Sequence, residues 1–185
     1  MVEILKAPIH EDISKQHPIE FAEPSCPLQT LNLSAGELST NRCTCVRLDW
    51  EDLRCFEVVN HQFQQWEVMF DNAIALRPSN PAYPAYSGVM VIMGAPQDGW
   101  IAATFLRPVQ FVSSFVTSSR RTILTAFDKH HKPIAQVETP GANLAHADAG
   151  RSPNVQLSIA IPNIHRVMFH TFNGHLTLDD FCFGF

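Results

Sequence analysis

The chain has 185 residues, 45% of them hydrophobic and 17% charged, with a net charge of −5 at pH 7. This composition excludes a disordered chain, and the acidic balance leaves no basic stripe for a nucleic-acid backbone. No apolar run reaches the ~18 residues that a membrane-spanning helix needs.

Residues 1–42 differ from the rest. They hold Pro8, Pro18, Pro24 and Pro27, mixed charges and no sustained hydrophobic period. An irregular N-terminal arm is expected here, with a short helical turn near Glu11 to Gln16, or else a mobile tail. The segment from Met1 to Lys6 lacks the basic and apolar regions of a signal peptide. A cytoplasmic location is expected if Met1 is the native start, an extracellular one if a signal has been removed. The cysteines are Cys26, Cys43, Cys45, Cys55 and Cys182. Cys43 and Cys45 form a C-x-C pair without the second pair that a zinc tetrahedron needs, so reduced thiols are expected instead.

From residue 43 onward the pattern is that of strands, and residues 43–185 are expected to form one domain. Val46 to Trp50 alternates apolar and polar, as a half-buried strand should. Trp66 to Phe70 and Ala73 to Leu76 are the next candidates. Arg77 to Gly88 contains Pro78, Pro81 and Pro84, which remove ladder donors and fix φ, so a loop is expected. Val89 to Met93 returns to strand. Trp100 to Leu106, Gln110 to Thr117, Thr122 to Phe127 and Ile134 to Glu138 follow as short β-branched or aromatic runs. Turn signals separate them at Arg107-Pro108, at Ser118-Ser119 and from Asp128 to Pro133.

After Thr139 a loop is expected as far as Asn154. Val155 to Ile161, Ile164 to Phe172 and Leu176 to Phe185 then close the chain as strands. About nine or ten short strands and no helical period give an all-β reading, an antiparallel β-sandwich of jelly-roll type. In the last strand, Leu176 and Leu178 share one parity, while Phe181, Phe183 and Phe185 share the other. Side chains alternate with period two, so the switch predicts a bulge near Asp179-Asp180.

Leu48-Asp49-Trp50-Glu51-Asp52-Leu53, Phe70-Asp71-Asn72-Ala73, Tyr86-Ser87-Gly88-Val89, Ile164 to Phe169 and Leu178-Asp179-Asp180-Phe181 carry a resemblance. Taken in this order, they resemble the jelly-roll of bacterial exported proteins of the PEP-CTERM class. More distantly, they resemble calcium-bearing carbohydrate-binding modules. In those modules the first and last strands lie side by side and share a structural metal. The resemblance implies Ca²⁺ held by Glu51, Asp52, Asp179 and Asp180, consistent with the hard oxygens that calcium prefers. The alternative is that Asp180 caps a turn or accepts backbone N–H bonds and that Glu51 and Asp52 face solvent.

Aromatic residues are the other candidates. Tyr83 and Tyr86 on the Pro-rich loop, with Trp66 and Trp100 if they lie at the same end, could present ring faces to a sugar. Otherwise these rings pack under their own loops. The nine histidines include His130-His131 in a turn and His165, His170 and His175 near the end. They are expected to be surface or hydrogen-bonded side chains. No G-x-S-x-G elbow is present, and no catalytic residue is assigned.

The leading expectation is therefore a non-catalytic module that binds a carbohydrate or small ligand, with Ca²⁺ as a structural cofactor. One alternative is an interaction or structural protein that self-associates as a homo-oligomer. The other is a jelly-roll enzyme resembling calcium-dependent cyclases, in which Asp71 would act beside Tyr83 or Tyr86.

Overall fold

The structure is a computed structural model, and it describes residues 45–94, 99–145 and 153–185. The expected arm over residues 1–42, with Cys26, and Cys43 of the C-x-C pair lie outside the described residues.

Ten strands and a single 3-10 turn at Gln64–Trp66 make up the described fold. In chain order the strands are β1 (Cys45–Arg47), β2 (Val58–Val59), β3 (Val68–Asp71), β4 (Ala73–Leu76), β5 (Val91–Gly94), β6 (Trp100–Ser118), β7 (Thr122–Phe127), β8 (Pro133–Glu138), β9 (Val155–Thr171) and β10 (Leu176–Gly184). Every pairing is antiparallel.

Two long strands generate the layers. The first half of β6 pairs with β3 on one side and the last part of β9 on the other. Its second half pairs with β10 and the first part of β9. One layer therefore runs β3-β6-β9-β7-β8, and the other runs β9-β6-β10-β5-β4-β2, with β1 beside the end of β10. The layers face each other. Phe181 of β10 meets Phe70 of β3 edge-on at 5.3 Å between ring centroids and Phe169 of β9 at 6.4 Å. This is the all-β antiparallel sandwich of jelly-roll type that the sequence predicts, with its first and last strands adjacent.

The sequence divides β6 at Pro108 and β9 before Ile164, yet the structure runs both strands through. The register of the β6–β9 ladder shifts between Thr104 and Val109, again between Val109 and Phe111, and Val109 faces Ile164. Pro108 and Pro162 thus sit at one corner, where both strands pass from one layer to the other. The ladder is already interrupted there, so the missing N–H groups leave no acceptor wanting. The candidate strand from Trp66 to Phe70 is also corrected, because Trp66 ends the 3-10 turn and Glu67 has a φ of 63°.

The predicted bulge is present. Asp179 faces Phe115 and Cys182 faces Ser113, so Asp180 and Phe181 together oppose Ser114. Asp180 takes a φ of 54°, a left-handed conformation that aspartate tolerates better than most residues. Leu176 and Leu178 before the bulge and Phe181 and Phe183 after it are all buried in the core.

Candidate functional site

β10 carries its polar residues on the outer face of the second layer, and the Pro-rich loop lies across that face. Asp179 points outward beside Phe115 yet is only 4% exposed. The loop covers it. Asp179 Oδ2 accepts backbone N–H bonds from Tyr86 at 2.6 Å and Ser87 at 2.9 Å. The Tyr86 ring stacks on Phe115 at 3.5 Å between centroids. Burial pushes the Asp179 carboxyl above its usual range, against the pull of the N–H groups of Ser87, Tyr86 and Asp180. A second carboxylate ties the end of the loop, since Glu51 Oε1 accepts from Val89 N at 2.8 Å and Met90 N at 3.0 Å. Gly88 has a φ of +58°, and a Cβ there would collide with the Glu51 carboxylate.

Beside this anchored loop lies a groove of about 340 Å³. Its floor is Leu76, Met93 and Thr177, its aromatic walls are Phe56 and Tyr83, and Arg77, Ser79, Asn80 and His175 supply polar groups. Tyr83 also lines a hollow of about 470 Å³ within the loop itself, together with Arg77 and Asn80.

Phe56 is held here at a cost. Its φ is 68° and the residue is 79% exposed. A left-handed backbone at a bulky residue costs on the order of 1–3 kcal/mol, and an exposed ring gains nothing from burial. Hydrogen bonds fix the conformation, from Phe56 N to Ala75 O at 2.7 Å and from Ala75 N to Glu57 O at 2.9 Å.

No protein-family model matches the sequence, and no curated protein matches it. Among solved structures the chain is similar to a family 61 carbohydrate-binding module in complex with β-1,4-galactotriose, at 14% identity and a TM-score of 0.40, over 72% of this chain and 100% of that one. It is similar to a DUF4465 family protein from Bacteroides caccae, at 12% identity and a TM-score of 0.45, over 76% and 98%. A mutant of a family 29 carbohydrate-binding module matches at 10% identity and a TM-score of 0.40, over 77% and 93%.

The four rings expected from sequence do not converge. Tyr83 lines the groove, and Tyr86 lies further along the same loop, 48% exposed on its Phe115 stack. Trp66 and Trp100 belong to the other layer, at opposite ends of the β3–β6 ladder, where Val68 faces Phe105 and Asp71 faces Ala102. At about 3.3 Å per residue this separates them by on the order of 20 Å. Phe56 was not singled out in the sequence, and His175 was expected only as a surface or hydrogen-bonded side chain. The conformation that exposes Phe56 leaves no periodic signal.

Three of the four acidic candidates, Glu51, Asp179 and Asp180, line a separate hollow of about 360 Å³ with Arg47, Asp49 and Ser87, whereas Asp52 is exposed outside it. These carboxylates already have partners within the protein. Glu51 and Asp179 spend oxygens on backbone N–H groups, and Asp180 is ion-paired with the Arg47 guanidinium of β1. Among the described residues no group of three His, Cys, Asp or Glu could hold a metal ion. Millimolar CaCl₂ and excess EDTA are expected to give the same thermal midpoint. A clear rise in calcium, abolished in Asp180→Ala, would instead place an ion between the terminal strands.

Asp71 makes an ion pair with Arg166 at 2.7 Å and lines neither hollow beside Tyr83. Burial pushes the Cys182 thiol up to about 11, which leaves it a poor nucleophile.

Proposed function

We propose that this domain is a non-catalytic binding module and that its site is the groove between Phe56 and Tyr83, which takes a sugar ring. A sugar offers an apolar C–H face to an aromatic ring and a rim of hydroxyls to polar side chains. The groove supplies both, with two rings as walls and Ser79, Asn80 and Arg77 at the loop side. The observation that carries the reading is Phe56, an apolar ring kept exposed by an unfavourable backbone. Strain of this kind is retained where it serves recognition.

Alanine at Tyr83 or Phe56 is expected to weaken binding of a cognate oligosaccharide about tenfold or more, by analogy with aromatic anchors elsewhere. Isothermal titration against oligosaccharides found on a glycan array would measure it. Retention of full affinity in both variants would remove the groove from consideration.

A second reading has its own observation. Val58, 61% exposed, lies on β2 at the outer edge of its layer, close to Phe56 in sequence. Self-association along this edge would bury both side chains. Light scattering separates the readings, because the binding-module reading expects a monomer with an open groove.

A further inference from the structure

The charge distribution around the groove narrows the ligand. The chain carries a net charge of −5, yet among the described residues neither Asp nor Glu lines the groove. Its charged and titratable lining consists of Arg77, His175 and Tyr83. Arg47, Arg107, Arg121 and Arg166 are each set against a carboxylate, respectively Asp180, Glu67, Glu138 and Asp71. Among the described residues Arg77, like Arg54 and Arg120, takes part in no such pair, and of these three only Arg77 lines the groove. It lines both the groove and the adjoining hollow of the loop.

We infer that the groove selects an acidic sugar, a uronate whose ring lies against Phe56 and Tyr83 and whose carboxylate meets Arg77. The inference rests on the binding-module reading above and deepens it. A guanidinium presents two parallel N–H donors that match a carboxylate, and such charge-assisted pairs are about twice as strong as neutral ones. A neutral hexose has a hydroxymethyl group at the same carbon and cannot use that fork. The described lining holds no carboxylate to repel an acidic ligand on this acidic protein. His175, on the turn before β10, adds an imidazole to the same lining.

The test is titration of the whole chain with trimers of galacturonate, glucuronate and mannuronate, each against its neutral counterpart galactotriose, cellotriose or mannotriose. At low salt at least one uronate trimer is expected to bind about tenfold tighter than its neutral partner, with the preference shrinking as salt rises. In Arg77→Gln the two should come within about twofold of each other. Arg77 is exposed, so the variant's thermal midpoint should match the parent's and exclude misfolding. Equal binding of acidic and neutral trimers, with affinity still lost in Tyr83→Ala, would overturn the acidic preference and leave the binding-module reading standing. An acidic preference that persists in Arg77→Gln would overturn the assignment of Arg77. Benzoate competing as well as a uronate would overturn the sugar ring. Failure of every trimer to bind would bring down both readings together.

Discussion

Truncating Phe181 to alanine is expected to destabilise the fold by about 3–5 kcal/mol, measured as a shift of the urea midpoint at constant slope. Phe181 is fully buried and touches Phe70, Phe105, Phe169 and Phe183. It bridges both layers, so its loss opens a cavity between sheets that the two long strands hold apart. Collapse is limited on the β10 side as well, because the bulge fixes where Phe181 enters the core. Alanine at Phe185, half-buried at the chain end, should cost clearly less. A Phe181→Ala effect under about 1 kcal/mol would mean that the aromatic cluster repacks freely, contrary to the dense packing expected of a protein interior.

The same strand shows what a sequence can disclose. A buried strand must keep its apolar side inward, so a switch of parity between Leu178 and Phe181 leaves a bulge as the simple solution, and the bulge lies there. The loop from Arg77 to Gly88 was equally legible, since three prolines cannot join a ladder. The prolines at residues 108 and 162 misled for an instructive reason. A proline in an apolar run usually ends a strand, but here two neighbouring strands cross between layers at one corner, where ladder bonds are already absent. Nothing local distinguishes the cases, because the signal is a coincidence of two distant prolines.

The site was less legible for similar reasons. Tyr83 could be found because a ring on a proline-rich loop has few core positions open to it. Phe56 depends on a left-handed backbone fixed by Ala75, a partner across the sheet. An acidic pair at a bulge flanked by buried groups needs a physical reason. That reason is a backbone anchor at Asp179 and an ion pair at Asp180, neither of which a carboxylate count foretells.

Asp179→Ala should cost about 2–4 kcal/mol near neutral pH, because it strips a buried acceptor from the N–H groups of Tyr86, Ser87 and Asp180. Hydrogen exchange should locate the damage, with Tyr86 and Ser87 losing protection while β6 and β9 keep theirs. The pH dependence is more discriminating. Burial, the dominant influence, and the neighbouring Asp180 carboxylate hold the folded carboxyl above its ordinary 3.8. Between 3.8 and that raised value the folded chain binds more protons than the unfolded one, so stability falls as pH rises through the window. The contribution of Asp179 is then fully present below 3.8 and partly lost above the folded pKa. Glu57 and Asp128 act in the opposite sense, since hydrogen bonds, chiefly from Gln62 and from the Lys132 N–H, hold their carboxyls low and their contributions fade on acidification. Both groups are common to parent and variant, so they cancel in the difference between the two. That difference should widen as pH is lowered toward 4. If it narrowed, the N–H groups would outweigh burial, and the loop would be held by the charge of Asp179 rather than in spite of it.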